Sequence, residues 1–435
     1  DTYGHNKTGE TALETQTSVP AEQKAKRMNK YQGEFFERLA FWVTFWAMQK
    51  VTRIPTPRAQ RNTVTNNRSY SLFLRLMSRY HPLRIADIRR ETAESVSIWL
   101  EVPADLKDTF AFKPGQYLNC RAMVNGEELR KSYSICAVPE DPYLGIAVKK
   151  VHGGKMSTYI NTDLKVGDTF EVTSPEGKFT LPDVLPDDAV LVFFAAGSGI
   201  TPVISQLRYF LDHYPKGQAV LFYSNRSSDT IIFREQLQAM KNENMNRFSI
   251  YHILTKEVTG VDIFSGRVDQ EKCSLYGKHF FNPSEIHTAF ICGPELMIMD
   301  VKSSLQQMGL REDQIRFELF GTGAFYAKRE AQEATEFTGE DTMSQVTIRI
   351  DGHEVDLKLG YRGQAVLDAG LQSGIDIPFS CKGGVCSTCK AQVVEGKVHM
   401  DIHYGLEPDE IDAGIVLTCQ SHPRSERLIL DYDIL

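Results

Sequence analysis

Four cysteines near the C-terminus limit what this chain can fold into more than any other feature. Eight cysteines in 435 residues are too few for a disulfide scaffold, so a local group of four indicates a metal in a reducing compartment. Their C-x4-C-x2-C spacing, followed by a distant fourth cysteine, is the arrangement that holds a [2Fe-2S] cluster. Zinc is the alternative, but zinc sites usually repeat a C-x2-4-C pair in both halves. The predicted cluster ligands are Cys381, Cys386, Cys389 and Cys419.

The pattern of apolar residues changes along the 435 residues of the sequence, which indicates several domains. From about Leu83, short β-type runs such as SVSIWLEV and LGIAVKKV predict a small antiparallel barrel. Around Val190, apolar strands begin to alternate with Gly-rich turns and helices, which predicts a parallel sheet of the nucleotide-binding kind. The C-terminal segment predicts a small mixed α+β module. The predicted segments are an N-terminal extension at 1–82, the barrel at 83–185, the nucleotide domain at 186–320, a polar linker at 321–343 and the last module at 344–435.

The N-terminal extension is basic, although the whole chain has a net charge of -7. Between Ala21 and Arg90, fifteen Lys and Arg residues stand against four acids. The run EFFERLAFWVTFWAM places Phe35, Leu39, Trp42 and Trp46 on one stripe at the helical period, which predicts an amphipathic helix.

Such a basic helix suits an anionic membrane surface, so we expect residues 31–80 to make peripheral membrane contact. The alternatives are packing across the barrel or capping an oligomer interface. No run approaches the ~20 apolar residues that span a bilayer. We therefore expect a cytoplasmic protein, peripheral on the inner membrane face, with no nucleic-acid partner.

The motif AAGSGITP indicates a dinucleotide site. Gly197 and Gly199 follow an apolar strand and open a helix, so the backbone can approach a pyrophosphate at the helix N-terminus, with Thr201 in the first turn. A second motif, CGPELM, ends another predicted strand and begins with Cys292 and Gly293.

The residues after the next strand bear on the choice of coenzyme. An NAD-specific site usually offers an acid to the ribose hydroxyls at this point. Here the chain has Ser224 and Arg226, and a cation with hydroxyls suits a 2′-phosphate. We therefore expect NADPH rather than NADH, although Asp229 lies close enough to weaken that expectation.

These motifs together carry a resemblance to known families. The module from Ser344 onward resembles a plant-type ferredoxin, and the segment before it resembles the ferredoxin-NADP reductase superfamily. The order of flavin barrel, nucleotide domain and ferredoxin is similar to reductase components of the phenylacetyl-CoA epoxidase and fatty-acyl desaturase kind. The resemblance implies an antiparallel flavin-binding β-barrel, an α/β nucleotide domain and a β-grasp ferredoxin, after an N-terminal helical extension.

The resemblance also implies a flavin site. In LRKSYSI, Tyr133 and Ser134 match the R-x-Y-S motif, in which Tyr stacks on the isoalloxazine and Ser bonds near its N5 atom. This chain departs from the motif, so either Lys131 or Arg130 would contact the pyrophosphate. A second phosphate motif is matched downstream, and we expect FAD rather than FMN. Its residues are Gly153, Gly154 and Ser157.

Hydride transfer is implied at four positions. In the family, a cysteine in the place of Cys292 lies beside the nicotinamide ring. Glu318 and Phe320 match a terminal E-x-Y motif, whose aromatic ring covers the flavin until nicotinamide displaces it. The implied catalytic residues are Ser134, Cys292, Glu318 and Phe320.

The implied function is electron transfer from NAD(P)H through FAD and the [2Fe-2S] cluster to a protein acceptor. The resemblance implies that this acceptor is an oxygenase or a desaturase with a di-iron site, which in one form is membrane-bound. Fatty acid desaturation is one process that such an acceptor would serve. The last module has fourteen acids against eight bases, which favours a basic docking face on the acceptor. The alternatives are a stand-alone diaphorase or ferric reductase, and a redox sensor without turnover.

Overall fold

Three sheets organise the chain in a computed structural model, which describes residues 80–258, 260–320 and 342–434. All of these residues belong to one compact unit. The predicted amphipathic helix and residues 321–341 of the predicted linker lie outside the described residues, whereas Met343, the last residue of that predicted linker, begins a β-strand. No helix in the described ranges is long and apolar enough to cross a bilayer.

The first sheet is antiparallel and has the strand order β4-β3-β6-β1-β2-β5. At the start of its first strand, buried apolar side chains alternate with exposed ones. Leu83 and Ile85 are fully buried, for example, while Arg84 between them is exposed. Helix α1, Lys155–Thr162, follows β5. The strands are β1 His81–Thr92, β2 Ser95–Glu101, β3 Tyr117–Val124, β4 Glu127–Ser134, β5 Leu144–Lys149 and β6 Thr169–Val172.

The second sheet is parallel and has the order β11-β10-β7-β8-β9. Its strands are buried runs because helices cover both faces. The chain goes from β7 to β8 and β9 and then returns to the other side of β7, so the strand order reverses between β7 and β10. Ligands bind at the carboxyl ends of strands at such a switch point. The elements are β7 Val190–Ala196, α2 Ile200–His213, β8 Gln218–Asn225, α3 Arg234–Glu243, β9 Phe248–Leu254, α4 Gln270–His279, β10 Ile286–Gly293, α5 Glu295–Gln307 and β11 Ile315–Leu319.

The third sheet is mixed and has the order β13-β12-β18-β14-β16, with a small β15-β17 pair beside it. Strand β12 pairs in parallel with β18 and antiparallel with β13, as the β-grasp prediction requires. The loop with three of the four cysteines runs into β14. The elements are β12 Met343–Ile350, β13 His353–Gly360, α6 Val366–Gln372, β14 Lys390–Glu395, β15 Val398–Met400, α7 Pro408–Asp412, β16 Ile415–Leu417, β17 Ser421–Pro423 and β18 Arg427–Asp431.

Candidate functional site

The four predicted cluster ligands come together as two thiol pairs. A hydrogen bond with Cys386 lowers the pKa of Cys381, and a hydrogen bond with Cys389 lowers the pKa of Cys419. Within the described ranges, no three His, Cys, Asp or Glu side chains are grouped to bind a single metal ion. Two pairs of thiols suit two irons with two thiolates each, so the residues fit a [2Fe-2S] cluster better than zinc.

The backbone of the cysteine loop also suits a cluster. The Gly383 N–H donates to Cys381 Sγ at 3.2 Å, and the Cys381 N–H donates to Cys386 Sγ at 3.4 Å. Gly384 has a φ of +72°, and a Cβ there would lie 2.7 Å from the carbonyl oxygen of Ile402. Glycine is therefore required at 384, and backbone N–H groups of the loop point at the cysteine sulfurs.

Three of the four predicted hydride-transfer residues meet where β4, β10 and β11 end. The Ser134 hydroxyl donates to Glu318 Oε2 at 3.2 Å, and Cys292 is the β10 residue opposite Glu318. Burial raises the pKa of Glu318 to about 8, so at neutral pH it is a carboxylic acid. Burial also raises the pKa of Cys292, which keeps it a thiol. Phe320 lies two residues beyond Glu318 and is 45% exposed.

The Gly-rich turn lies against the same strand ends. A Cβ on Gly199 would lie 2.1 Å from the carbonyl oxygen of Cys292, so this glycine permits close packing of the turn on β10. Gly197 has a φ of +53°, and its carbonyl accepts a hydrogen bond from the Tyr223 hydroxyl at 2.9 Å. A Cβ on Gly293 would also collide with neighbouring side chains. The turn therefore borders a crevice at the switch point, where a dinucleotide binds in such sheets.

Successive side chains of strand β4 lie on opposite faces of the sheet and have different surroundings. Arg130 donates to Glu128 Oε1 at 2.7 Å and to Asp376 Oδ1 at 3.0 Å, so its guanidinium joins the barrel to the ferredoxin-like module. Lys131 is exposed on the opposite face, which leaves it as the phosphate candidate. Tyr133 packs beside the barrel core, and burial raises its pKa.

Three family models match the chain in succession. They describe an oxidoreductase FAD-binding domain at residues 85–181, an oxidoreductase NAD-binding domain at 193–303 and a 2Fe-2S iron-sulfur cluster binding domain at 348–424. The chain is 36% identical to a subunit of the 1,2-phenylacetyl-CoA epoxidase of Escherichia coli (strain K12), over 82% of this chain and 99% of that protein. It belongs to the ferredoxin-NADP reductase superfamily, among the reductases with a C-terminal [2Fe-2S] ferredoxin domain.

Further relatives match this reductase over most of their own length. The ferredoxin reductase component of 3-ketosteroid-9-alpha-monooxygenase from Rhodococcus rhodochrous is 33% identical over 80% of this chain and 96% of its own. Among solved structures, phthalate dioxygenase reductase has a TM-score of 0.51 at 22% identity, over 81% of this chain and 98% of its own. The latter likeness supports the fold. The chain is therefore an NAD(P)H-dependent oxidoreductase with FAD and a [2Fe-2S] cluster.

Two predicted cofactor-binding hydroxyls of this reductase hold turns instead. Thr201 is buried and donates to the carbonyl of Ser198 at 3.0 Å. Ser157 accepts from the Val151 N–H at 3.1 Å and donates to the carbonyl of Gly154 at 3.2 Å. Gly154 is the N-cap of α1 and has no side-chain cap, so the N–H groups of the first turn are available to a phosphate. Gly153, before it, has a φ of +73°.

The residues expected to choose the coenzyme lie at the end of β8. Ser224 is buried, whereas Arg226 is exposed. Lys149 at the end of β5 is half-buried, and burial lowers its pKa, as does the nearby Arg226 guanidinium. The carboxylate of Asp229 accepts a hydrogen bond from the Ser227 hydroxyl. The crevice therefore has two cations from two domains at this point.

Sequence reasoning missed the junction between the flavin barrel and the cysteine loop. The Tyr117 hydroxyl donates to the carbonyl of Cys386, and the Thr388 hydroxyl donates to Asn119 Oδ1 at 3.2 Å. Each pair is separated by 269 residues in the chain, and no local motif marks either partner.

Proposed function

We propose that this reductase is the NADPH-oxidising component of an oxygenase system. The observation that carries the proposal is the position of the cysteine loop, which lies directly on the two barrel strands next to the hydride-transfer residues. The relatives named for a phenylacetyl-CoA epoxidase and a 3-ketosteroid monooxygenase support an oxygenase as the acceptor.

The chain's own residues prepare the site for that chemistry. When bound, the flavin supplies the conversion of a two-electron hydride into single electrons, and the cluster accepts them one at a time. The neutral Glu318 side chain, which accepts the hydrogen bond of the Ser134 hydroxyl, presents a proton where the flavin ring is expected, without adding a negative charge. The buried Cys292 thiol and the packed Gly199 turn exclude water from the crevice.

The choice of NADPH rests on charge. Arg226 is exposed beside the crevice, and Lys149 brings a second cation from the barrel. Asp229 is held by Ser227, which favours a contact with that hydroxyl over a contact with ribose. A 2′-phosphate beside these cations gains charge-assisted hydrogen bonds that NADH lacks.

The acceptor is proposed to dock on the acidic ferredoxin domain. Gly405 donates its N–H to the carbonyl of Gly384 at 2.9 Å, so the segment after it borders the cysteine loop. Glu407 and Asp409 of that segment are exposed, and a basic face on the oxygenase would complement them. A desaturase acceptor, a di-iron type and membrane contact through residues 31–80 remain sequence predictions, since the relatives that support the acceptor are named for oxygenase systems.

Reconstitution tests this proposal. The protein loaded with FAD and cluster should oxidise NADPH with ferricyanide, with cytochrome c and with an oxygenase component from the same cell. Product formed by the oxygenase should require the reductase and NADPH together. NADPH oxidation with small acceptors but no electron delivery to any oxygenase would favour the diaphorase alternative. Absence of turnover with every acceptor would favour the redox sensor.

A further inference from the structure

One face of the β3–β4 hairpin faces the ferredoxin domain along its length. Alternate residues of a strand share a face, and residues paired across antiparallel strands share it too. The register therefore defines three cross-strand rungs on this face. They are Arg121 with Arg130, Asn119 with Ser132, and Tyr117 with Ser134.

The outer rung makes surface contacts. The ion pair between Arg130 and Asp376 spans 3.0 Å, but the Asp376 side chain is 81% exposed. The Arg130 guanidinium also lies 4.8 Å from the centre of the Phe379 ring. Because the Asp376 carboxylate is solvated, this ion pair is a weak contact, so the outer rung guides docking more than it fixes it.

The middle rung is a buried amide with every hydrogen-bonding atom engaged. Asn119 Oδ1 accepts from the Ser132 hydroxyl at 2.8 Å and from the Thr388 hydroxyl at 3.2 Å. Asn119 Nδ2 donates to Glu176 Oε2 at 3.1 Å. Ser132 shares a further 2.8 Å bond with the Ser380 hydroxyl, next to the first cluster ligand. A satisfied buried network of this kind specifies one arrangement of the two domains.

The inner rung touches both chemical sites. Tyr117 is 6% exposed, and its hydroxyl donates to the carbonyl of Cys386, one of the four cluster ligands. Its cross-strand partner Ser134 bonds to Glu318 in the hydride-transfer site. One pair of neighbouring residues therefore separates the site that receives hydride from the loop that carries the cluster.

We propose that Tyr117 is a positioning residue that fixes Cys386, and with it the cluster, at the distance from the flavin that one-electron transfer needs. The proposal rests on the proposed function, because it assigns a determinant of one step in that electron path. An electron leaves the bound flavin and enters the bound cluster, and Tyr117 is neither oxidised nor reduced.

The test uses the holoenzyme with Tyr117→Phe, which removes the hydroxyl and keeps the ring. Rapid mixing with NADPH should show flavin reduction within about twofold of wild type, because the hydride site is untouched. Cluster reduction should slow by about tenfold, since small misplacements of reacting groups have large kinetic effects. The electron paramagnetic resonance spectrum of the dithionite-reduced cluster should also change, because the Cys386 carbonyl loses the Tyr117 hydroxyl as a donor and keeps only the Thr388 hydroxyl, at 3.3 Å. A purely structural role would leave that spectrum unchanged at equal iron content.

Two further variants complete the test. Tyr214→Phe is the matched control, since Tyr214 lies at the C-terminal end of helix α2 in the nucleotide domain, and it should leave both rates and the spectrum at wild-type values. Thr388→Val removes a hydroxyl that lies within hydrogen-bond distance of Asn119 Oδ1, of the Cys386 carbonyl and of Cys386 Sγ, and it should slow cluster reduction by about threefold. The proposal is overturned if Tyr117→Phe reduces its cluster at the wild-type rate, or if flavin and cluster reduction slow equally. Failure of the proposed function is separate, because wild type itself would then pass no electrons to the cluster.

Discussion

The hydride-transfer side and the cluster side of the β3–β4 hairpin are built differently. On the hydride side, Ser134 and Glu318 meet through one hydrogen bond of 3.2 Å. On the cluster side, Tyr117, Asn119 and Arg130 all reach the ferredoxin domain. Both sides are formed by residues of the same two paired strands, β3 and β4.

The difference follows from what each side must do. A nicotinamide coenzyme enters and leaves in every turnover, so contacts that close its crevice must be few and weak enough to break. The cluster stays in the protein, so contacts that hold its loop can be many and buried. The hairpin therefore borders a site that exchanges its coenzyme and a loop that holds its cluster.

The largest expected effect comes from removing the cluster altogether. Cys419→Ser should lose the cluster and lower cytochrome c reduction by about a hundredfold or more, because single electrons then lack their acceptor. Ferricyanide reduction should stay within about threefold, since the hydride side is intact. Cys273→Ala, a buried cysteine of the nucleotide domain, is the control. Equal loss of both activities would mean that the two sides do not work separately.

The next effect concerns the proton on Glu318. Its folded-state pKa is raised to about 8, so flavin reduction by NADPH should fall as pH rises through that value, by about tenfold per unit above it. Glu318→Gln keeps a neutral side chain at every pH, so the fall in the rate of flavin reduction above pH 8 should disappear in this variant. An unchanged fall in the Gln variant would assign it to another group.

The same shift predicts a stability effect in the cofactor-free protein. A carboxyl with a raised folded-state pKa contributes stability that is complete below the ordinary value of 4.5 and is lost as pH rises through about 8. The melting temperature of wild type should therefore fall more steeply than that of Glu318→Gln as pH rises from the ordinary pKa of 4.5 to the folded-state pKa of about 8. Parallel curves would contradict the assignment.

A smaller effect is expected at the end of the coenzyme that carries the 2′-phosphate. Arg226→Ala should raise KM for NADPH by about tenfold, since a charge-assisted contact to the 2′-phosphate is lost. KM for NADH should not change. Arg311→Ala removes an exposed arginine of the same domain and is the control. Equal changes for both coenzymes would contradict a 2′-phosphate site.

The smallest effect is expected at the outer rung. Asp376→Asn breaks an exposed ion pair with Arg130 and should change the rate of cluster reduction by less than about twofold. The effect should vanish in high salt. A loss as large as that of Tyr117→Phe would place the fixed contacts at the exposed rim of the hairpin rather than on its buried rungs.

Local motifs predicted much of this molecule. The C-x4-C-x2-C spacing, the glycines at 197 and 199 and the Tyr133–Ser134 pair are each short patterns that can be recognised in a few consecutive residues. Short runs also predicted the antiparallel barrel, the parallel sheet and the mixed module, since periodicity reflects burial on one face or two. The predicted thiol set comes together as proposed.

Contacts between domains could not be predicted in this way. Arg130 was one of two candidates for the pyrophosphate contact, and in the structure its guanidinium bonds to Asp376, 246 residues away. Tyr117 has no local motif, and its role depends on a carbonyl 269 residues away. The hydroxyls of Thr201 and Ser157 were expected on cofactors, but their own backbone turns use them. Sequence patterns give the face of a strand, but not what will cover it.

The most direct test is a single anaerobic mixing of the FAD- and cluster-loaded protein with excess NADPH. We predict that flavin absorbance falls first and that the cluster's resonance signal then grows, with about three electrons taken up per chain. We also predict that Tyr117→Phe delays only the second step. A fully reduced flavin beside a cluster that stays oxidised in wild type would contradict this electron path.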